Sequence, residues 1–348
     1  MLHEIGGRPV GPGHAVFVVA EIGLNHSGSV DKALAMVDAA AWAGASAVKL
    51  QTLQADELVS ASCPPPAHVA ARSLRDFFAA FELDADAHRA VVRRARDLGL
   101  AVMATPFAES LVGMLESLGI DAFKIASGDL PFDGLIRAAA ATGRPVVLST
   151  GMSALLEVGR AVDVARGAGT DAVGVLHCVS AYPTPPDCEN LRAIATLERY
   201  LRVPVGLSDH GTCMTSAIAA VALGACIYER HLVLESDSDA IDRAVSSTPE
   251  ELKSLIEAME RVRVALGDGR KVCQPAEQPN LIPSRRGLYA ARLLKAGSRV
   301  GRQDVMVVRP ATTLPPSHLP GLIGSVLTRD VDAGSAFLAT DIRLERAS

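Results

Sequence analysis

Residues 121–150 read DAFKIASGDLPFDGLIRAAAATGRPVVLST, and two β-rich runs within them, Ala122–Ser127 and Pro145–Thr150, flank an alanine-rich helical stretch. A strand, a helix and a second strand within roughly thirty residues form one parallel βαβ unit. The rhythm continues in both directions. Strand-like runs at Val16–Glu21, Ala47–Gln51, Leu100–Thr105, Ala172–Cys178, Val203–Ser208 and Ala225–His231 bring the set to eight. Between the runs lie helical segments such as Val30–Ala43, Asp84–Leu98, Glu109–Leu118, Ser153–Ala168 and Thr212–Leu223, several ending in a glycine suited to a left-handed cap. Eight such units predict an α/β fold, a (β/α)8 TIM barrel.

The barrel does not use the whole chain of 348 residues. After a last amphipathic helix at Pro249–Leu266, the chain turns polar and rich in Gly and Pro, the signature of a linker. The expected division is a barrel at 1–268, a linker at 269–283 and a small β-rich domain at 284–348. The segment Leu53–Leu83 is longer than a βα connection requires. With Pro64-Pro65-Pro66 and the cluster Phe77, Phe78, Phe81, it reads either as a lid or as a plain excursion.

Composition narrows the function. Apolar residues at 49% and charged residues at 21% exclude a disordered chain or a coiled coil. The formal net charge of −5, without a long basic run, excludes a broad nucleic-acid footprint. The longest weakly polar stretch, Cys213–Tyr228, is too short to span a bilayer, and the N-terminal MLHEIGGRPVGPG lacks the features of a signal peptide. Six scattered cysteines without a CxxC pair suggest a reducing compartment, so a cytoplasmic protein is expected.

Nearly every strand run closes on polar residues, at the barrel end where chemistry takes place. These are Glu21, Lys49 with Gln51, Thr105, Lys124 with Ser127, Ser149 with Thr150, Ser180 with Tyr182, Ser208 with His210, and Glu229 with His231. Charges inside a barrel are costly unless paired, so the pattern points to a site for a polar anion. Each lysine alternatively forms an ion pair with a barrel glutamate. His210 and His231 end neighbouring strands, within reach of one ion. With oxygen donors completing the shell, that site suits an open, octahedral Mn²⁺, Mg²⁺ or Co²⁺ better than a closed structural zinc. The turns SGD (127–129) and STGM (149–152) offer hydroxyls and backbone N–H groups to a phosphate. His14, His26 and His177 read as structural or as supports behind the site's own residues.

In order along the chain, AEIGLNHSG (20–28), AVKLQT (47–52), ATPF (104–107), FKIASGD (123–129), VVLSTGM (146–152), LHCVSAYPTP (176–185), GLSDH (206–210) and ERH (229–231) resemble the N-acetylneuraminate (sialic acid) synthase family. The C-terminal RRGLYAARLLKAGSRVGRQDVMVVRP (285–310) and IGSVLTRDVDAG (323–334) resemble that family's antifreeze-like SAF domain. The resemblance implies a metal-dependent condensation of phosphoenolpyruvate with the open-chain aldehyde of an N-acylated hexosamine, giving a nonulosonic acid and phosphate. Carried over by position, Lys49, Thr105, Lys124, Ser127, Ser149, Gly151 and Ser208 hold phosphoenolpyruvate. His210 and His231 ligate the metal, while Glu21, Gln51, Asp129, Tyr182 and Asp242 line the sugar side. Glu21, Lys49, Lys124 and Tyr182 are the expected catalytic side chains. Arg309 of a partner subunit reaches the N-acyl group, which implies a domain-swapped homodimer.

Three stretches depart from the family pattern: SDSDAID (236–242) replaces a Pro-Gly-Pro-Asp turn, Ala311-Thr312-Thr313 replaces a glycine-rich turn, and LPFDG follows Asp129 without the usual Asn. All three fall on the sugar side. The acceptor is therefore N-acetylmannosamine or a deoxy diacetamido relative. Competing readings are another phosphoenolpyruvate–aldose condensation, a Schiff-base aldolase using Lys124, and a non-enzymatic carbohydrate- or ice-binding protein.

Overall fold

The computed structural model describes residues 2–64 and 73–343, so Pro65, Pro66 and the last five residues of the expected second domain lie outside the described residues. The chain divides into two units, Met1–Gly267 and Asp268–Ser348, and the stretch read as a linker falls within the second.

In the first unit, alternating apolar runs become eight parallel strands: β1 Phe17–Gly23, β2 Ala47–Thr52, β3 Ala101–Pro106, β4 Ala122–Ile125, β5 Val146–Ser149, β6 Val173–Cys178, β7 Val205–Asp209 and β8 Ile227–Leu232. Each pairs with the next, and β8 pairs with β1 (Glu21 opposite His231), which closes the barrel. The β7–β8 contact is tight enough that a Cβ on Gly206 would meet the Ile227 carbonyl oxygen at 2.1 Å. The crossovers carry α1 Val30–Ala43, α2 Ala85–Asp97, α3 Glu109–Ser117, α4 Asp133–Ala141, α5 Leu155–Ala168, α6 Ala193–Leu201, α7 Thr215–Ala222 and, after β8, α8 Pro249–Leu266. Local chemistry sets their ends. Ser29 and Asp84 accept backbone N–H groups at the starts of α1 and α2, Thr248 and Glu251 form a capping box on α8, and Gly44 ends α1 in the left-handed region at φ 86°.

Two apolar layers hold the barrel. The outward strand residues pack against the helices in the larger core. The inward residues of the lower barrel, Val19, Ala47, Ala101, Met103 and Ile227 among them, pack with Leu2, Ile5 and Val10. Ile5 belongs to, and Leu2 and Val10 flank, a small antiparallel hairpin, Glu4–Ile5 with Arg8–Pro9, which plugs the bottom of the barrel. The hairpin was not foreseen from the sequence. Among the described residues, no helix is long and apolar enough to cross a membrane.

The second unit pairs β9 Gly287–Ala290 with β10 Val305–Val308, and β11 Val326–Leu327 with β12 Ile342–Arg343, both antiparallel. Its core gathers residues such as Leu288, Leu294, Val300, Val331 and Phe337. An internal repeat underlies it. ARLLKAGSRVGRQDV (291–305) aligns with TRDVDAGSAFLATDI (328–342), and the two copies exchange backbone hydrogen bonds of 2.9 Å between Leu294 and Val331, as a local two-fold would place them. Each copy buries one aspartate. Asp304 accepts from Gly301 N and Arg292, and Asp341 accepts from Leu338 N and Arg329.

Ile5→Ala is expected to destabilise the barrel unit by about 2–5 kcal/mol, the usual cost of an unfilled cavity of this size, read as a lowered urea midpoint. An unchanged midpoint would remove the hairpin's role as a plug.

Candidate active site

Strand alternation places residues two apart on the same face, so the inward positions above the apolar layer are Glu21, Lys49, Thr105, Lys124, Ser149, Cys178, Ser208 and Glu229. Four charges meet there, all but a few per cent buried. Lys49 forms an ion pair with Glu21, lies 3.9 Å from Glu229 Oε2 and donates to Thr105 Oγ1 at 3.1 Å. Lys124 donates to Glu229 Oε1 at 3.0 Å, and Ser208 donates to the same oxygen at 2.9 Å. Both lysines thus pair with barrel glutamates, and the paired groups still line the open cavity.

The two carboxylates are not equivalent. Burial opposes the charge on Glu229, but Lys124 and Lys49 outweigh it and hold the carboxyl down at about 2. Burial dominates at Glu21: Lys49 offsets it only in part, Glu229 adds to it, and the carboxyl is pushed up. For Lys49 burial works against the ammonium, but Glu21 and Glu229 outweigh it and push the group up.

Above the charges opens a cavity of about 430 Å³. Ser127 Oγ donates to Ser149 Oγ and accepts from Gly151 N, both at 3.0 Å, so the two serine turns meet at its rim. Gln51, Tyr182, Asp242 and the two histidines also line it. The rings of His210 and His231 lie 5.6 Å apart, and Tyr182 stacks on His210 at 4.2 Å. Leu24, Leu58, Val59, Phe78 and Phe107 form an apolar wall. Three of these come from the long segment after β2, which therefore serves as a side of the site. Asp129 stands near the rim without lining the cavity, and burial pushes its carboxyl up to about 6. Arg309 belongs to the second unit.

Three residues absent from the expected site set take part. Glu229 shares its strand face with His231, two positions on, and ties together Lys49, Lys124 and Ser208. Cys178 lies on the cavity floor, 3.8 Å from His210 Nδ1. Asn25, fully buried, donates to Leu232 O at 2.7 Å and accepts from Asp242 N at 3.0 Å, which fastens the 236–242 loop to the barrel. Lys32 pairs with Asp237, and Arg243 donates to the Asp237 carbonyl, so side-chain bonds hold the loop.

The histidine pair has the donor chemistry of a cation site. His210 Nδ1 donates to Val179 O at 3.1 Å, which leaves Nε2 as the lone-pair nitrogen. His231 Nδ1 is buried without a hydrogen bond, 3.3 Å from Asp242 Oδ2 but poorly aligned with it. Burial lowers His231 to about 4, which keeps its imidazole in the neutral, ligating form. At His210 burial is outweighed by Cys178, the Val179 carbonyl and Glu229, and the net shift is upward. Among the described residues, no three His, Cys, Asp or Glu side chains converge as a closed ligand set, so such a site would be open.

The barrel carries this charged floor, and the chain continues into a small β unit with an internal repeat. Residues 36–271 match the NeuB family and residues 285–343 the SAF domain, and the chain belongs to the NeuB family. It is a transferase of the phosphoenolpyruvate-condensing type. An uncharacterized protein of Methanocaldococcus jannaschii is 34% identical over 94% of both chains. The N,N'-diacetyllegionaminic acid synthase of Legionella pneumophila is 32% identical over 96% of both. Among solved structures, the N-acetylneuraminic acid synthetase of Leptospira borgpetersenii superposes with a TM-score of 0.74 at 33% identity, covering 80% of this chain and 94% of its own.

His26 carries a pH prediction. It is fully buried, its Nδ1 accepts from Gly28 N at 3.0 Å, and burial, with His88 and Lys32 nearby, lowers it to about 4. The unfolded chain binds this proton near 6.5, so the contribution to stability is complete above 6.5 and is lost as pH falls toward 4. His26→Asn keeps an acceptor for Gly28 N–H and should flatten the fall of the urea midpoint between pH 6.5 and 4. An unchanged slope would remove His26 from the acid sensitivity.

Proposed function

We propose that the chain condenses phosphoenolpyruvate with the open-chain aldehyde of an N-acylated hexosamine, giving a nonulosonic acid and phosphate. The observation that carries this reading is one cavity in which two lysines and the hydroxyls of Thr105, Ser127, Ser149 and Ser208 face a pair of imidazoles. The lysine side suits an anion with separate phosphate and carboxylate groups. Lys49, Thr105, Lys124, Ser127, Ser149, Ser208 and the Gly151 N–H hold those groups. His210 and His231 would hold a divalent cation, Mn²⁺ before Mg²⁺ or Co²⁺, which supplies Lewis acidity at the acceptor carbonyl.

The chain's own residues then order the reaction. The lysines keep the enol phosphate oriented so that its C3 meets the aldehyde carbon. As the new C–C bond forms, positive charge develops at C2. Water adds at C2, and Glu21 orients it and takes its proton, as suits a carboxylate whose affinity for protons burial has raised. The bond from C2 to the phosphate oxygen then breaks, the C2 hydroxyl gives its proton to the leaving phosphate, the proton taken by Glu21 passes to the alkoxide formed from the aldehyde oxygen, and the keto acid remains. Lys124, held by Glu229, stabilises negative charge; a Schiff base would need it as a free neutral amine.

The apolar wall of Leu24, Leu58, Val59, Phe78 and Phe107 favours a deoxy diacetamido sugar over N-acetylmannosamine as acceptor. The similarity to a synthase named for diacetyllegionaminic acid points the same way. A second copy of the chain supplies Arg309, exposed in the second unit, to the N-acyl group, in a domain-swapped homodimer. The enzyme works without membrane or nucleic acid, in the cytoplasm.

Incubation with phosphoenolpyruvate, Mn²⁺ and a panel of N-acyl hexosamines should release phosphate and yield a nine-carbon acid by mass. No phosphate release with any acceptor would overturn the proposal. A chelator should abolish turnover and Mn²⁺ restore it, whereas turnover surviving the chelator would remove the cation. Glu229→Gln should raise the KM for phosphoenolpyruvate by about tenfold, because it loosens both lysines at a cost on the order of one charge-assisted hydrogen bond; an unchanged KM would separate Glu229 from the anion site.

A further inference from the structure

A second set of buried charges lies behind the histidines, on the outer face of β7 and β8. Alternation turns Asp209 and Arg230 away from the lumen, while their neighbours His210 and His231 line the cavity. Asp209 Oδ2 accepts from Tyr228 OH at 2.7 Å. Its Oδ1 accepts from Gly211 N at 2.8 Å and lies 3.5 Å from Arg230 Nη1. Arg230 Nη1 donates to Gly211 O at 2.6 Å, and its Nε donates to Ser247 Oγ at 3.1 Å. Asp209, Tyr228, Arg230 and Ser247 are each at least 94% buried.

The connections are specific to the two imidazoles. Asp209 and Gly211 flank His210, and the network takes both the N–H and the carbonyl of Gly211. Arg230 precedes His231 directly. Its partner Ser247 sits on the short strand Ser246–Ser247, which pairs with β8 at His231 and Leu232. The outward positions of β1 to β5 carry no charged side chain, so an ion pair on this face is not a requirement of barrel closure. A buried ion pair contributes little net stability compared with apolar residues of the same volume, whereas it does fix geometry.

We infer that Asp209 and Arg230 are positioning residues, which act through the backbone on either side of His210 and His231 to hold both imidazoles at the spacing a divalent cation needs. The inference rests on the proposal that these histidines bind a cation. Outer partners of this kind typically change metal affinity by about 10–100-fold.

The test is Mn²⁺ binding to the full-length chain without substrates, followed by the paramagnetic resonance of free Mn²⁺. His231→Ala should abolish tight binding; if it binds Mn²⁺ like wild type, the cation proposal fails and the inference with it. If His231→Ala loses Mn²⁺, the second question is separable. Asp209→Asn should weaken Mn²⁺ by about 10-fold or more, and Arg230→Lys by less, because it keeps the charge. Ile136→Ala, a core truncation on α4, serves as a control for lost stability and should bind Mn²⁺ like wild type. Asp209→Asn binding as tightly as this control overturns the inference. Should Asp209→Asn fail to fold, Tyr228→Phe removes only the phenol's bond to Asp209. It should weaken Mn²⁺ by about threefold, and wild-type affinity there overturns the inference as well.

Discussion

Four charges in the lumen of a barrel govern the rest of this structure. An ion in a dry interior costs several kcal/mol, and a barrel core is ordinarily filled with branched apolar side chains. Here the layer above Met103 and Ile227 instead carries Lys49, Lys124, Glu21 and Glu229, formally neutral as a set. Neutrality lets the chain fold with the site empty of anion. The two carboxylates differ in their surroundings: Lys124 and Lys49 hold Glu229 ionised, whereas burial raises the proton affinity of Glu21.

This arrangement requires the other end of the barrel to be sealed. Water entering from below would screen the lumen charges and weaken their hold on one another. The hairpin around Ile5 fills that end with Leu2, Ile5 and Val10, all nearly fully buried. The barrel is thus divided along its axis: an apolar lower half that supports the fold, and a polar upper half, open on one side, that supports the chemistry. The same alternation that turns the lumen residues inward turns their neighbours toward the helices, and at β7 and β8 even that outer face is polar. Polar character therefore surrounds both histidines.

Much of this was legible in the sequence because strand periodicity is local. The eight strands and the polar residue closing each follow from spacing along short runs. What the sequence did not reveal depends on partners far apart. Glu229 was visible at a strand end, but its importance lies in Lys124, 105 residues away across the barrel. The plug was missed because its strands are two residues long, too short for any period to register. The repeat in the second unit was missed because its copies agree mainly at Arg292 and Arg329, the Ala-Gly-Ser turns, and Asp304 and Asp341. The segment after β2 was read as a lid or an excursion. Its role as a wall depends on Leu58, Val59 and Phe78 folding back over a cavity that belongs to other strands.

The departures from the family pattern take on a physical meaning in this light. Without prolines, the 236–242 loop has no intrinsic stiffness, yet Asp242 is placed by its own N–H on Asn25, and Ser246 donates to its carbonyl at 2.7 Å. Asn25 in turn bonds Leu232 O, at the end of the strand that carries His231. At residues 311–313, Thr312 donates to Leu314 O and accepts from Leu288 N, packing against Gly287, where a Cβ would meet it at 2.4 Å. In both stretches a hydrogen-bonded side chain holds the turn. A turn held by side-chain bonds keeps its position only while those partners keep theirs, so the Asp242 side of the cavity is tied through Asn25 to the ends of β1 and β8. The lysine side is tied to the lumen charges, and Glu229, two positions before His231 on β8, joins the two sides.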